Sequence, residues 1–183
     1  ANLAAELGIT NSILFYERCY IIIEGPTEEN SLPIFYHRLY GHSMIEDGIR
    51  LINIEGNGGK KGLLKLLGKN RQHLTIAFLD SDTHTNQDFI GAGFSRDRTD
   101  DYLILIGQKE FEDAFSDETI CLCLNEIWPR TDNEPWAPAH LSDIRSEPNK
   151  KFSDRLMGLI YQNSESDVSN TKPVYGQKLA SFC

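Results

Sequence analysis

The sequence predicts an α/β protein in which a mainly parallel sheet is flanked by helices and followed by a C-terminal helical extension. The first half of the chain alternates short apolar runs with segments of helical periodicity, as expected for parallel strands joined by crossovers. The second half has helical periodicity without further strand-like runs. The strand-like runs occupy residues 19–23, 49–54, 74–79 and 102–106.

The length and charge of the chain limit its organisation and its partners. With 183 residues it is long enough for one full domain and too short for two large ones. We expect a core over residues 1–115, with a short N-terminal lead-in, and a helical extension over residues 116–183 that packs on this core and completes its functional site. The net charge of −9 excludes non-specific nucleic-acid binding driven by bulk charge, although metal bound at clustered acids can still neutralise phosphates. No apolar run approaches the roughly 18 residues that span a membrane.

The first strand and the helix after it have the clearest local signals. Residues 19–23 form a continuous apolar run, which is typical of a parallel strand that is buried on both faces. The run ends at Glu24-Gly25-Pro26, where glycine permits a tight turn and proline suits the first turn of a helix. Pro33 falls early in that helix and leaves its first turn uncertain. The apolar positions with helical spacing are Leu32, Phe35, Tyr36, Leu39 and Tyr40.

The remaining elements follow the same reasoning with less regular spacing. The second strand is followed by a glycine-containing turn over residues 55–59 and by a short leucine-rich helix that Gly68 ends. A polar loop over residues 83–101 separates the third strand from the fourth, and a proline-containing stretch over residues 129–148 separates two helices of the second half. The predicted helices of the second half are residues 118–128, residues 151–161 and a short one that Pro173 opens.

Acidic side chains gather where the predicted strands end. Glu24 closes the first strand, Glu28 falls in the first turn of the next helix, and Asp80 and Asp82 close the third strand. The carboxyl ends of parallel strands share one edge of a sheet, so these four carboxylates converge on one spot. Such a cluster is repulsive unless it is neutralised, and hard oxygen ligands are what Mg²⁺ or Mn²⁺ prefers. The pattern therefore predicts a divalent-metal site.

A further pair of acids, Glu110 and Glu112, follows the fourth strand. If this segment stays extended, alternation points both side chains the same way and adds them to the cluster. Taken singly, an acid in such a position is more simply interpreted as a helix cap or a solvated strand end. We keep that interpretation for Glu29 and Asp113.

A basic segment over residues 60–71 contrasts with the acidic remainder of the chain. The glycine-containing turn before it departs from a P-loop, because Ile54 stands where the first glycine belongs and Lys61 replaces the required Ser or Thr. The segment holds five basic residues and no acid, which favours either a nucleic-acid-binding patch or a solvated helix face. The basic residues are Lys60, Lys61, Lys65, Lys69 and Arg71.

Two of these motifs resemble known ones. Residues 21–29, Ile-Ile-Ile-Glu-Gly-Pro-Thr-Glu-Glu, resemble the first motif of the Toprim (topoisomerase/primase) fold, and residues 78–82, Phe-Leu-Asp-Ser-Asp, resemble its Asp-x-Asp motif. Over nearly its whole length the chain resembles the C-terminal nuclease region of the overcoming lysogenization defect (OLD) family of ATP-dependent endonucleases. The further segments that carry this resemblance are residues 9–15, Gly48-Ile49, Glu110-Phe111-Glu112-Asp113 and Thr171-Lys172-Pro173.

The resemblance implies a DNA endonuclease or nickase with two divalent ions, Mg²⁺ or Mn²⁺, in each active site. It implies that Glu24, Asp80 and Asp82 hold one ion and that Glu28, Glu110 and Glu112 serve the second. Lys172 would act with Glu24 and Asp80 in catalysis, by stabilising charge on the scissile phosphate or the leaving oxygen. The chain also opens without an initiator Met, so we expect a fragment of a larger ATPase-nuclease whose N-terminal ABC-type ATPase domain is absent here.

Two other functional classes remain open. One is a Toprim module that holds nucleic acid through metal and acids without cutting it. The other is a receiver-like domain with Asp80 as phosphoacceptor, although such domains carry an acid pair where this chain has Glu24-Gly25-Pro26. Neither cysteines nor histidines compete with these classes, because they lack zinc-site, disulfide or triad spacing. We interpret Cys19, Cys121, Cys123 and Cys183 as reduced thiols of a cytoplasmic protein.

Overall fold

The structure is a computed structural model with side chains. It describes residues 17–54, 64, 74–81, 83–95, 101–146, 150–165 and 172–182.

Four parallel strands form the central sheet. They are β1 (Cys19–Ile23), β2 (Ile49–Asn53), β3 (Leu74–Asp80) and β4 (Asp101–Ile106). Their order across the sheet is β2-β1-β3-β4, and every neighbouring pair is parallel. Because β1 and β3 are adjacent and in register from Cys19 and Leu74 onward, their carboxyl ends lie side by side. The predicted fold class, a mainly parallel sheet flanked by helices with a C-terminal helical extension, is confirmed.

The helices surround this sheet and extend it. They are α1 (Pro26–Tyr40), α2 (Thr83–Gly91), α3 (Asp117–Ile127), α4 (Pro138–Ser146), α5 (Phe152–Asn163) and α6 (Lys172–Phe182), with a 3₁₀ turn over Phe111–Ala114. Helix α1 continues through Pro33. The leucine-rich helix after β2 lies outside the described residues except for Leu64, which is helical.

Three expectations about local structure are wrong. The polar loop predicted over residues 83–101 begins with α2. The buried Phe89, which contacts Phe94, anchors this helix. Because one residue anchors it, the sequence of α2 has no periodic apolar stripe that would predict a helix. The proline-containing stretch over residues 129–148 contains α4, which begins at Pro138, where proline is compatible with a first helical turn. The segment with Glu110 and Glu112 does not stay extended, because Glu110 is extended and Glu112 lies in the 3₁₀ turn.

The buried apolar side chains of the described residues form two hydrophobic clusters. One lies between the sheet and its covering segments and includes Ile22, Ile54, Ala77, Leu79, Phe89, Phe94 and Leu103. The other joins the helices of the second half and includes Ile120, Leu124, Leu141, Leu156, Ile160, Tyr175 and Leu179. Of the described cysteines, Cys19, Cys121 and Cys123 are buried. No helix within the described residues is long and apolar enough to cross a membrane.

The close approach of α1 and α6 fastens the second half of the chain to the first. Gly176 is buried at the crossing, and a Cβ atom there would lie 2.5 Å from Thr27 Cγ2 and 2.8 Å from Ser31 Oγ. Both distances are too short for a real side chain, so the crossing depends on glycine. The contact sets the first turn of α6 beside the first turn of α1.

Candidate active site

Glu24 and Asp80 meet at the carboxyl edge of the sheet. Glu24 directly follows β1, and Asp80 is the last residue of β3. The backbone N–H of Asp80 donates to Glu24 Oε2 at 2.9 Å, and the backbone N–H of Phe111 donates to Asp80 Oδ1 at 2.8 Å. These bonds connect the ends of two adjacent strands to the 3₁₀ turn. Each carboxylate has a second oxygen that accepts no hydrogen bond from any described residue.

Glu28 adds a third carboxylate from the first turn of α1. Its side chain lies close to the start of its own helix, since a Cβ on Gly25 would be 3.5 Å from Glu28 Oε2. Glu28 is only 5% exposed. Burial raises the pKa of Glu28 to about 7, and the charges of Glu112 and Glu24 act in the same direction.

Burial and neighbouring negative charges also raise the pKa values of Asp80 and Glu112. Burial raises the pKa of Asp80 to about 8, with further increments from the negative charges of Glu28, Glu24 and Glu112. Glu112 is 3% exposed, and burial together with the charge of Glu110 raises its pKa. In the ion-free protein, protons therefore take the place of a cation on part of this cluster near neutral pH.

Glu110 is buried in the same region but is neutralised by protein groups. Its Oε1 accepts the backbone N–H of Ser153 at 2.6 Å, and its Oε2 accepts the Ser153 hydroxyl and the Lys172 ammonium, both at 2.9 Å. Burial raises the pKa of Glu110, but the donors on Ser153 and the charge of Lys172 outweigh it, so the pKa falls below its ordinary value. Lys172 also lies 3.7 Å from Asp154 Oδ1.

One cavity of about 420 Å³ collects these groups. The structure thus brings together five of the six predicted metal ligands and the predicted catalytic lysine, while Asp82 lies outside the described residues. The predicted nucleic-acid-binding residues Lys60, Lys61, Lys65, Lys69 and Arg71 also lie outside them. The charged residues that line the cavity are Glu24, Glu28, Asp80, Glu110, Glu112, Lys151 and Lys172.

Comparison with known proteins agrees with this geometry. Residues 15–82 match the family described as the TOPRIM domain of overcoming lysogenization defect protein-like proteins. Residues 15–82 are thus similar to an OLD-like TOPRIM domain. This similarity implies a nucleic-acid-related module of the nuclease type.

Solved structures support the fold of this OLD-like TOPRIM domain. The C-terminal region of the Burkholderia pseudomallei OLD protein is 17% identical, with a TM-score of 0.59 over 92% of this chain and 89% of that chain. The C-terminal region of the Xanthomonas campestris pv. campestris OLD protein, in the structure phased with platinum, is 18% identical, with a TM-score of 0.54 over 93% of this chain and 88% of that chain. At these identities the likeness establishes the fold alone. No curated protein matches the chain by sequence.

TOPRIM domains generally bind divalent metals, and the donor chemistry of the cavity suits them. As arranged, however, the described residues contain no group of three or more Asp, Glu, His or Cys side chains that could hold a metal ion. Both oxygens of Glu110 are engaged by Ser153 and Lys172. The remaining acids repel one another, which favours separation in the absence of a cation.

Two residues near the site had no signal in the sequence analysis. Ser153 is the second residue of α5, and its hydroxyl donates a hydrogen bond to Glu110 Oε2. Lys151, just before that helix, lines the cavity. The positions of Ser153 and Lys151 at the cavity depend on how α5 packs against the 3₁₀ turn. The local periodicity of the sequence does not predict this packing.

Asp113 holds the loop that presents Glu110. Its carboxylate accepts the backbone N–H groups of Gln108 at 2.6 Å, Lys109 at 3.0 Å and Glu110 at 3.3 Å. Gly107 begins this loop with φ +67°, and a Cβ there would collide with the Glu110 carbonyl and the Asp113 carboxylate. Asp113 therefore has the local capping role that the sequence analysis expected for it.

Proposed function

We propose that this domain is a divalent-metal-dependent endodeoxyribonuclease that nicks or cleaves DNA by a two-metal mechanism. The observation that carries the proposal is the cavity of about 420 Å³, in which carboxylates from two adjacent strand ends, from α1 and from the 3₁₀ turn lie together with Lys172. Three of these acids have raised pKa values, so the protein itself does not supply enough positive charge to neutralise them. A divalent cation meets that need, and a phosphodiester is the substrate that such a centre attacks.

The carboxylates divide into two proposed sets. Glu24, Asp80 and Asp82 form the first set. The hydrogen bond from the backbone N–H of Asp80 to Glu24 Oε2 supports this grouping, because it fixes the positions of these two residues relative to each other. The second set is Glu28, Glu112 and Glu110, the last of which also positions Lys172 through its 2.9 Å ion pair. When bound, two ions supply an ionised water near neutral pH and positive charge at the attacking and leaving oxygens.

Lys172 is proposed to stabilise negative charge that develops on the scissile phosphate or on the leaving oxygen. Its ammonium lines the cavity and is held at 2.9 Å by Glu110, while 30% of the side chain stays exposed. A cation that is already in position stabilises the transition state, because the protein does not have to rearrange at the moment of reaction. Glu110 and Ser153 are the residues that keep it there.

We also propose that the active site belongs to both parts of the chain. Residues 1–115 form the TOPRIM core and supply Glu24, Glu28, Asp80 and Glu112, whereas residues 116–183 form the helical extension and supply Lys151 and Lys172. The proposed partners are DNA, bound in part by the basic segment over residues 60–71, and the N-terminal ABC-type ATPase domain of an OLD parent protein. The proposed ions are Mg²⁺ or Mn²⁺, two in each site.

Conversion of supercoiled plasmid to open-circular or linear DNA tests this function. We expect conversion with millimolar Mg²⁺ or Mn²⁺ and none in EDTA. A folded protein that leaves the plasmid intact in both ions, and over a range of pH, contradicts the nuclease proposal.

A TOPRIM module that binds nucleic acid without cutting it is the second candidate. The family match to a TOPRIM domain fits this candidate as well, because it also uses the acids and a metal to hold nucleic acid. This candidate predicts that the same plasmid is retarded in a gel but never cut. The receiver-like alternative gains no support, because the family match is to a TOPRIM domain.

A further inference from the structure

Ser81 stands between the two aspartates of the Asp-x-Asp motif and joins the ends of two strands. It follows Asp80, the last residue of β3, and it is half-buried. The ladder between β3 and β4 ends where Asp80 pairs with Ile106, and Ser81 continues the contact one residue further. The backbone N–H of Ser81 donates to the Ile106 carbonyl at 3.2 Å. The resemblance to the Toprim motif assigns this serine no role.

The hydroxyl of Ser81 lies between two consecutive carbonyl oxygens. Its Oγ is 2.9 Å from the carbonyl oxygen of Ile106 and 2.8 Å from that of Gly107. A hydroxyl has one proton to donate, so the two acceptors share it. Gly107 has φ +67° and begins the tight loop over residues 107–112, which we call the acid loop. Ser81 therefore holds the acid loop at the point where the chain leaves β4.

Asp80 holds the acid loop near its other end. Its Oδ1 accepts the backbone N–H of Phe111 at 2.8 Å, and Phe111 is only 2% exposed. Glu110 and Glu112 are the two neighbours of Phe111 in the chain, so the position of Phe111 decides where both carboxylates lie. Two consecutive residues at the end of β3 thus bind the acid loop near both of its ends.

Other hydrogen bonds hold the acid loop to itself and to the helical extension. Asp113 accepts three of the loop's own backbone N–H groups, which keeps the loop compact. Ser153 binds Glu110 from α5, which belongs to the second half of the chain. Without the Ser81 hydroxyl, the loop would therefore stay compact while its placement against β3 became less fixed.

We propose that Ser81 is a positioning residue of the active site, which sets the distance between the two proposed ligand sets by holding the acid loop against β3. The inference rests on the proposed two-ion function. Glu24 and Asp80 are already placed by strand pairing and by the bond between them. Glu110 and Glu112 belong to the acid loop, so their distance from Asp80 changes when the loop shifts. Residues that orient metal ligands typically change metal affinity or activity by about ten- to a hundredfold when they are removed.

Two measurements on the whole chain test this role without relying on cleavage. The first is a titration with Mn²⁺, in which electron paramagnetic resonance counts the bound ions of the wild type and of Ser81→Ala. We expect one of the two Kd values to rise about tenfold in Ser81→Ala and the other to stay within about twofold. The second is amide hydrogen exchange in EDTA. Exchange at Phe111 should become about fivefold faster in the variant, because one hydrogen bond that holds the loop is lost.

Two further variants separate positioning from a general loss of structure. Ser81→Thr keeps the hydroxyl and should restore both Kd values and the exchange rate at Phe111. Ser164→Ala is the matched control, because it also removes a serine hydroxyl that donates to a backbone carbonyl, that of Ile160 at 2.8 Å, outside the cavity. It should leave Mn²⁺ binding and the exchange at Phe111 unchanged. Should Ser81→Ala not fold, Ser81→Cys takes its place, because a thiol is only a weak donor.

The outcomes separate this proposal from the nuclease proposal. Unchanged Kd values in Ser81→Ala overturn the positioning role, even if the wild type cuts plasmid and even if exchange at Phe111 becomes faster. A rise of one Kd that Ser81→Thr reverses supports the role, even if the wild type cuts nothing. A wild type that binds fewer than two Mn²⁺ ions refutes the two-ion site and the positioning role together.

Discussion

The α/β half (residues 17–115) and the helical half (residues 116–182) contribute to the active-site cavity by different physical means. In the α/β half, Glu24 and Asp80 are placed by strand pairing, because each stands where one of two adjacent parallel strands ends. In the helical half, Ser153 and Lys172 are placed by packing, at the first turns of α5 and α6. Strand ends are local features of the sequence, whereas helix packing is not.

The electrostatics of the two halves differ in the same way. Glu28, Asp80 and Glu112 all belong to the α/β half, and burial raises the pKa of each of them. Glu110, which reaches Ser153 and Lys172 of the helical half, has a lowered one. The helical half therefore neutralises one carboxylate, and we propose that a divalent cation neutralises the other three.

The largest effect is expected from Asp80→Ala. It removes a proposed ligand of the first ion and should abolish plasmid nicking. The fold should survive, because the substitution also removes a half-buried carboxylate whose charge is repelled by the neighbouring acids. Nicking assays together with thermal melts measure both quantities.

Glu29→Ala is the matched control for Asp80→Ala. Glu29 is exposed, and its Oε2 accepts a hydrogen bond from Asn53 at 2.8 Å. Its side chain projects about 100° round the helix from that of Glu28, so it points away from the cavity. Full activity in Asp80→Ala, or equal losses in both variants, argues for a metal site elsewhere.

Lys172→Ala breaks the contribution of the helical half. Removal of a preorganised charge near the reacting phosphate should lower kcat by roughly a hundredfold or more. Lys172→Arg should rescue poorly, because a planar guanidinium does not replace a compact ammonium. The substitution also deprives the buried Glu110 of its cation, so the pKa of Glu110 should rise.

Lys178→Ala, an exposed lysine on the same helix, controls for Lys172→Ala. It should cut plasmid at the wild-type rate. Cleavage by Lys172→Ala within a factor of two of wild type would assign Lys172 to the surface of the protein.

Gly176→Ala tests whether packing places Lys172. The added Cβ has no room against Thr27 and Ser31, so α6 must shift from α1 at a cost of about 1–3 kcal/mol in the free energy of unfolding. Because Lys172 lies one turn before this contact, kcat should fall with it. Urea unfolding and nicking assays report the two losses.

Gly158→Ala is the companion variant, since nothing lies within 4 Å of a Cβ at that position in α5. Relief of glycine's backbone entropy there should raise stability by about 0.5–1 kcal/mol and leave activity unaltered. A stable, fully active Gly176→Ala protein contradicts the packing account.

Much of the α/β half follows from local sequence. Apolar runs predict the four strands, and Gly25-Pro26 marks the first strand–helix junction, so the convergence of Glu24, Glu28 and Asp80 is predictable from element order alone. The placement of α2 is not, because a single buried phenylalanine anchors a polar helix.

The helical half is harder to anticipate. The conformation of residues 107–113 depends on Asp113 and on a glycine with positive φ, and neither leaves a periodic signal. The association of Ser153 with Glu110 joins positions 43 apart in sequence, and that of Lys172 with Glu110 joins positions 62 apart. Only resemblance to a family predicted that Lys172 belongs with the acids.

We also expect a pH dependence of stability that a divalent ion removes. Glu28 and Asp80 have folded-state pKa values of about 7 and about 8, above their ordinary values of 4.5 and 3.8. Between the ordinary and the folded-state pKa values, the folded protein holds protons that the unfolded chain releases. The stability of the fold should therefore decrease as the pH rises from the ordinary values to the folded-state values. Mn²⁺ binds the ionised carboxylates, so at about ten times its Kd it should add roughly 1.4 kcal/mol to the free energy of unfolding.

Thermal melts between pH 5 and 8, in EDTA and in Mn²⁺, measure this dependence. Other groups also titrate in this range, so the comparison that isolates the cluster is with Asp80→Asn, which keeps the shape of the side chain and cannot ionise. In EDTA, Asp80→Asn should lose less stability than wild type towards pH 8, and it should gain less from Mn²⁺. Parallel pH profiles for the two proteins, together with melting temperatures that Mn²⁺ does not change, would mean that Glu28, Asp80 and Glu112 do not bind a divalent cation.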